Sequence, residues 1–332
     1  MGEMNYGVVI VNWNGAADTI ACLKSIVMGG NCCRVIVIDN GSTDDSMTSI
    51  ADEMRLQGLR CRTLATDEQL ESTESARILL IPTGENLGFA AGCNRGLRIA
   101  AAIGCNEVVF LNNDTLVEGD ALNKIVQRLQ LEPTCFACLP MLTIFGSDRI
   151  WNCGGSASRL GLRHYYLAGR DRAEGARHGE IRCSFFTGCC FAVRTEDFVA
   201  RNGFSERFFF GEEDFEIALW MKDCGLTAVC LTVAVVQHKV SVSFSAAAGN
   251  HEHAKVFLYY LNRFIHMRLR FGTLGWWVWA LIYLPYVICL LWLGGTFGLA
   301  ELLSFVRRLL LRARTMDGVT RADFEAVMEG RI

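Results

Sequence analysis

The sequence predicts an α/β fold built on a parallel sheet and followed by a hydrophobic helical extension. Three observations carry that expectation. Short apolar runs alternate with helix-period stretches through residue 131, the pattern of strands joined by crossover helices. The runs end in clusters of Asn, Asp and Gly, which would collect at the carboxyl edge of the sheet, where open α/β folds bind ligands. Residues 271–300 then carry no charge, and about 20 apolar residues suffice to cross a bilayer.

The first strand is Tyr6–Val11, ending in Asn12-Trp13-Asn14-Gly15. A helix follows with Ile20, Leu23 and Val27 on one face, stopped by Gly29-Gly30. Val35–Ile38 is the second strand and runs into Asp39-Asn40-Gly41-Ser42-Thr43-Asp44-Asp45. Asn40-Gly41 is also a hairpin signal, but the Ser and Asp caps ahead of Met47–Leu56 favour a helix start. Residues 65–76 are polar and read as a surface loop, and Ile78–Ile81 is the third strand. The segment from Glu85 to Gly96 enters a helix that runs to about Ala102. Its glycines allow close backbone approach without the dinucleotide-binding spacing.

The fourth strand, Val108–Leu111, is an apolar run of the kind buried on both faces. It stops at Asn112, Asn113 and Asp114, side chains that are costly to bury unpaired. Asp114 is a hard oxygen ligand suited to Mg2+ or Mn2+, although a strand ending in an Asx turn has the same appearance. This first half reads as a nucleotide-binding layer. The second half changes character. A basic stretch from Arg159 to Arg182 looks irregular and suited to a mobile loop. Ser184–Val193 is strand-like, and a helix runs from about Asp214 to Asp223 behind Glu212 and Glu213. Acids there are ordinary dipole partners of a helix N-terminus. Leu226–Val236 is a strand ending at Gln237-His238-Lys239.

Composition narrows the classes. The chain is 51% apolar and 20% charged, with a net charge of -3, which gives no reason to invoke nucleic acid. Fifteen cysteines accompany no secretory pattern at the N-terminus, so reduced thiols are expected rather than a disulfide framework. The Cys135-x-x-Cys138 pair lies in an apolar, strand-like stretch and has no second pair to complete a zinc site. The sequons at Asn40 and Asn113 fall inside polar strand ends, where a glycan would block the ligand edge.

Six pieces occur together and in order: Val-Ile-Val-Asn-Trp-Asn-Gly (9–15), Val-Ile-Asp-Asn-Gly-Ser-Thr-Asp (37–44), Asn-Leu-Gly-Phe-Ala-Ala-Gly-Cys-Asn-Arg-Gly (86–96), Phe-Leu-Asn-Asn-Asp-Thr (110–115), Phe-Phe-Gly-Glu-Glu-Asp-Phe-Glu (209–216) and His238. Together they resemble an inverting family 2 glycosyltransferase of the GT-A fold, in its rhamnosyltransferase-like branch. The resemblance covers roughly residues 6–265 and implies a mixed nucleotide-binding sheet flanked by helices. It implies that Asp39 holds the base or ribose of a nucleotide-sugar donor, with Asn12 and Asn14 nearby. Asn86, Gly88 and Asn94 would line the donor pocket. Asn112 and Asp114 occupy the family's Asp-x-Asp metal motif, with Asn at the first position. Asp114 and His238 would ligate Mg2+ or Mn2+, Asp214 would be the catalytic base, and Glu213 would support it.

The expected organisation is a glycosyltransferase domain over 1–265 and a hydrophobic, basic membrane-associating helical region over 266–332. Tryptophans near both ends of the uncharged stretch resemble interfacial anchors. Arginines flank it on both sides, so a kinked hairpin with both ends cytoplasmic suits the charges better than one crossing. Leu299–Arg314 then reads as a basic amphipathic helix on an anionic leaflet. The alternatives are a buried helical pair or a contact between copies of the chain. The expected activity is transfer of a sugar from a nucleotide donor (dTDP-rhamnose or a UDP-sugar) to a glycan or lipid-linked acceptor. It would serve cell-surface polysaccharide synthesis at the cytoplasmic membrane face. A sugar nucleotidyltransferase and a non-catalytic nucleotide- or glycan-binding membrane protein are the rivals.

Overall fold

Every residue of β1 (Tyr6–Asn12) except Val11 is buried, and its side chains divide between two cores. Val9 joins one cluster, while Tyr6, Val8 and Ile10 join the other. The same alternation separates Ile36 and Ile38 from Val35 and Val37 in β2 (Arg34–Asp39). It also separates Val108 and Phe110 from Val109 and Leu111 in β5 (Glu107–Leu111). Strands with apolar side chains on both faces need a helical layer on each. Accordingly α1 (Ala16–Met28), α2 (Ser46–Leu56) and α4 (Ala121–Leu131) cover one face, while α3 (Phe89–Ala102), α6 (Thr195–Ala200) and α7 (Glu213–Asp223) cover the other.

This computed structural model describes residues 5–64, 76–239, 249–295 and 297–331. The polar loop expected at 65–76 lies outside the described residues apart from Ala76. The remaining strands are β3 (Cys61–Thr63), β4 (Ile78–Pro82), β6 (Thr115–Val117), β7 (Cys135–Ile144), β8 (Ile150–Asn152), β9 (Gly155–Ala157), β10 (Arg163–Tyr165), β11 (Glu180–Cys183), β12 (Cys190–Arg194) and β13 (Thr227–His238). The main sheet runs β11-β13-β7-β12-β5-β1-β2-β4-β3, with β6 on β13 and β8 on β7. From β3 to β5 every pairing is parallel. β12 then runs antiparallel to both β5 and β7, and β13 returns parallel to β7. The sheet is therefore mixed. The carboxyl ends of β1, β2, β4, β5, β7 and β13 share one edge with the start of β12.

Two details depart from expectation. The buried stripe of α1 is Thr19, Cys22, Leu23 and Ile26, because Thr19 turns inward to donate to Asn12 at 2.8 Å. The basic stretch from Arg159 to Arg182 is not an open loop. It supplies β10, which pairs antiparallel with β9, then α5 (Arg172–Ala176) and most of edge strand β11. Its arginines meet acids: Arg172 grips Glu118 through both nitrogens at 3.0 and 2.8 Å, and Arg182 reaches Glu132 at 2.9 Å.

The sheet and the helices that cover it belong to one compact unit, Met1–Ala157, Arg163–Ser205 and Glu213–Ser241. A second unit comprises Ser158–Leu162, Glu206–Glu212 and Val242–Ile332, so it draws in residues ahead of the expected boundary at 266. Its main element, α8 (Gly249–Leu293), breaks at Gly272, where φ is 68°. Glycine takes that conformation at little cost. The two halves fold back on one another: the Phe264 ring lies 4.9 Å from Trp279 and 6.0 Å from Tyr283. α9 (Leu299–Thr315) packs Phe305 against Phe257 and Tyr260. Arg263, fully buried, binds Glu212 at 2.5 and 3.2 Å. The carboxylate of Glu212 is thus engaged within the helical unit.

Candidate functional site

The chain of contacts at the sheet's carboxyl edge starts with β1 and β2, whose parallel register sets Asn12 beside Asp39. Asn12 donates to Asp39 Oδ1 at 2.9 Å, and Ser42 donates to the same oxygen at 2.6 Å. The Ser42 backbone N–H reaches Asp39 Oδ2 at 3.2 Å. Asn12 Oδ1 accepts from the Thr19 hydroxyl, which in turn accepts from Asn113 Nδ2 at 3.1 Å. One network therefore ties the tip of β5 to those of β1 and β2. Asn14, with φ of 49°, accepts from Thr43 N–H at 2.8 Å and steadies the rim of the same loop.

Behind this rim, Asn40 is buried and donates to Asn86 Oδ1 at 2.9 Å and to the Gly88 carbonyl at 3.1 Å. The loops approach so closely that a Cβ on Gly41 would meet the Glu85 backbone at 2.4 Å, so only glycine fits. Asn86 and Gly88 thus stand at the edge, held by Asn40. Asn94 is placed differently. It is 4% exposed, donates to the Phe204 carbonyl at 2.9 Å and accepts from the Phe204 N–H at 2.7 Å. Both ends of its amide serve the fold, because a buried amide must be matched.

The turn after β5 carries Asn112, Asn113 and Asp114, all half-buried. β6 pairs antiparallel with the end of β13, setting His238 opposite Thr115. His238 Nε2 consequently lies 3.2 Å from Asp114 Oδ1. The Lys239 N–H donates to the Asp114 carbonyl at 2.9 Å, latching the two segments together. Trp151 covers the imidazole, with centroids 4.6 Å apart, and His238 Nδ1 is buried without a hydrogen-bond partner among the described residues. Among those residues no group of three or more Asp, Glu, His or Cys is placed to hold a metal. A carboxylate oxygen and an imidazole nitrogen side by side do fit two positions of a divalent cation whose other ligands are waters and phosphate oxygens.

α7 ends beside the amino end of β7, where Trp220 meets Phe136 with centroids 5.0 Å apart. Its N-terminus carries Glu213 and Asp214, with Glu213 near Cys93 of α3. Arg163 from β10 reaches Asp214 Oδ1 at 3.3 Å. Cys135 and Cys138 are buried in β7, and burial pushes both thiols up. Ser42, Thr19, Trp151 and Arg163 join these contacts without being expected there, and Asn113, expected only as part of a polar strand end, bonds Thr19. Ser42 sits beside expected residues, whereas nothing local marks Trp151 or Arg163.

Comparison with known proteins bears on this geometry. Residues 7–200 match the model of glycosyl transferase family 2. The chain belongs to that family. The matched span runs from β1 to the end of α6 and includes Asp39 and Asp114. No curated protein matches the sequence. Among solved structures, the mannosyltransferase PcManGT of Pyrobaculum calidifontis, in complex with GDP-Man and Mn2+, is similar with a TM-score of 0.53 and 16% identity. That likeness covers 98% of this chain and 86% of the other. GalNAc-T7, solved with UDP, GalNAc and Mn2+, is similar with a TM-score of 0.53 and 15% identity over 71% of this chain. This family 2 chain spans 44% of the GalNAc-T7 chain. At such identities the likeness establishes a shared fold.

Proposed function

We propose that this family 2 chain is an inverting glycosyltransferase that moves a sugar from a nucleotide-sugar donor to a hydroxyl of a glycan or lipid-linked acceptor, and that it requires a divalent cation. The observation that carries the reading is the 3.2 Å contact of His238 with Asp114 on the edge where Asp39 and Asn12 are tied together. Asp39, Asn12 and Asn14 receive the nucleoside, and Asn86 and Gly88 flank the donor. Asp114 and His238 hold the cation, with Asn112 beside them. A bound divalent ion supplies charge neutralisation for a diphosphate leaving group. The imidazole in the set favours Mn2+ over the harder Mg2+, and the two similar structures carry Mn2+. Asp214 accepts the proton of the acceptor hydroxyl as that oxygen bonds to the anomeric carbon, and Glu213 supports it. The diphosphate leaves from the opposite face, so the configuration inverts. The rhamnosyltransferase-like motifs make dTDP-rhamnose the first donor to test, with UDP-sugars next.

The acceptor reading draws support from the helical unit. His253–Leu293 is the one helix among the described residues long and apolar enough to cross a membrane, yet it folds back at Gly272. Its second half packs Trp276, Trp279 and Tyr283 inward and leaves Leu274, Leu281 and Ile282 exposed. α9 exposes Leu299, Leu303 and Leu311 together with Arg307, Arg308 and Arg314. Exposed apolar and basic residues on these helices suit the interface of an anionic leaflet rather than a single crossing. The enzyme then works at the cytoplasmic membrane face, in cell-surface polysaccharide synthesis.

A donor-hydrolysis screen across nucleotide sugars with Mn2+ or Mg2+ tests the activity. Asp214→Asn should abolish transfer and leave donor binding nearly intact, and an active variant would assign the base elsewhere. Flotation with anionic and zwitterionic vesicles tests the membrane seat. Binding only to anionic vesicles, lost in Leu281→Glu, is expected, and a full-length chain that floats with neither rules it out.

A further inference from the structure

We propose that Arg163 is the positioning residue for Asp214, fixing its carboxylate plane and holding it ionised for proton removal. The inference rests on Asp214 being the base. Arg163 stands in β10, opposite Ala157 of β9, far along the chain from α7. Its guanidinium lies over the Phe185 ring at 5.4 Å and over the Phe215 ring at 5.3 Å. From there it meets Asp214 Oδ1 at 3.3 Å, with side chains 13% and 15% exposed.

Each feature matters to the chemistry. Two aromatic faces hold a weakly hydrated, planar cation well and a lysine ammonium poorly. A cation pinned in this way fixes the direction from which the carboxylate is approached, and low exposure makes the pairing stronger than on an open surface. Asp214 is flanked on α7 by Glu213 and Glu216, whose charges disfavour its ionisation. Arg201 neutralises Glu216 at 2.9 Å, and Arg163 acts on Asp214 itself. From α3, Cys93 feels Glu213. Removing Arg163 takes that cation away from Asp214 while Glu213 and Glu216 stay on the same turn of α7, so its protonated form is favoured at higher pH than in the wild type.

The test is the pH profile of kcat/KM for donor transfer by the full chain with Mn2+. Arg163→Met should lower kcat about 10- to 100-fold at neutral pH and leave donor KM within about twofold. It should also move the acidic limb upward by about one pH unit or more. Arg163→Lys should restore most of the limb position, because charge returns, but little of kcat, because the geometry does not. Phe185→Leu keeps the arginine and loosens its seat, so it carries the test if Arg163→Met fails to fold. A limb that stays at the wild-type pH in all three variants overturns the inference. So does a rise in donor KM at unchanged kcat, which would put Arg163 on the diphosphate. Asp214→Asn separates the two readings: transfer by that variant ends the base assignment. An inactive Asp214→Asn beside an unmoved limb ends only the role given to Arg163.

Discussion

Asp39→Asn is the substitution with the most readable consequence. The carboxylate is 4% exposed and takes three donors, Asn12 Nδ2 at 2.9 Å, Ser42 Oγ at 2.6 Å and Ser42 N–H at 3.2 Å. An asparagine keeps one oxygen for the first two and turns its amide toward the Ser42 N–H, donor against donor. Hydrogen bonds to a charged group contribute about 1.5–3 kcal/mol and neutral ones about 1 kcal/mol. Two bonds weaken and one is lost, so destabilisation of about 3 kcal/mol is expected. For a unit of this size that lowers the melting midpoint by about 6–12 °C. Melting followed by circular dichroism without nucleotide measures it, and calorimetry with nucleoside diphosphates measures binding in parallel. A midpoint within about 2 °C of wild type would refute the claim that this network holds the β1 and β2 tips. Unchanged melting with lost binding would show that the carboxylate serves the ligand alone.

Three further outcomes follow from named contacts. His238→Ala should abolish the thermal stabilisation that Mn2+ with a nucleoside diphosphate gives the wild type, which for ligand at about 100-fold over its Kd is about 2.7 kcal/mol. A preserved shift in differential scanning fluorimetry would remove His238 from the cation site. Burial raises the Glu118 carboxyl, but hydrogen bonds from Arg172 and Gln237 outweigh it and hold the group below its ordinary value of 4.5. The stabilisation from Glu118 is therefore present above that value and lost as pH falls through the lower folded one. Urea midpoints of Glu118→Gln should trail wild type at pH 7 and converge with it in acid, and a gap that widens in acid would reverse the sign. Cys32, Cys224 and Cys289 are exposed, whereas burial pushes Cys22 up to about 12 and Cys105 up to about 11. A thiol-disulfide reagent at pH 8 should titrate those three quickly and the buried cysteines only on unfolding.

The strands β1, β2, β4 and β5 are legible because each is apolar on both faces and ends in, or runs directly into, Asn, Asp or Pro, a purely local signature. The reversal at β12 was not, since Cys190–Arg194 is as apolar as a parallel strand and its direction depends on which neighbour it meets. The basic stretch misled for a related reason. Arginines in series look solvated, yet Arg163, Arg172 and Arg182 each find an acid supplied by a distant element. Within the site, Asp114 and His238 carry visible chemistry and lie in contact. Asn94 sits in a motif whose neighbours face the edge, but its helical position turns it to the Phe204 backbone. Asn86 and Gly88 owe their placement to Asn40, a residue that reads locally as half of a turn.

The reversal of β12 is also what gives the proposed cation pair its shape. With β12 inserted antiparallel between β5 and β7, β13 ends two strands beyond β12, too far along the sheet to touch the tip of β5 directly. The turn at Asn112–Asp114 bridges that gap by throwing β6 across onto β13, and the backbone bond from Lys239 to Asp114 closes it. The pair is therefore held by main-chain pairing, and neither side chain needs a ligand to bring it into place. On the resemblance, Asn112 stands where the family motif has an acid, so the proposed pair carries one carboxylate rather than two. A divalent cation on one carboxylate and a neutral imidazole keeps a net positive charge. Two carboxylates would cancel it. On this reading the site attracts a diphosphate more strongly than a doubly acidic one would and holds the bare ion less tightly, so cation and donor should each strengthen the binding of the other by the same factor.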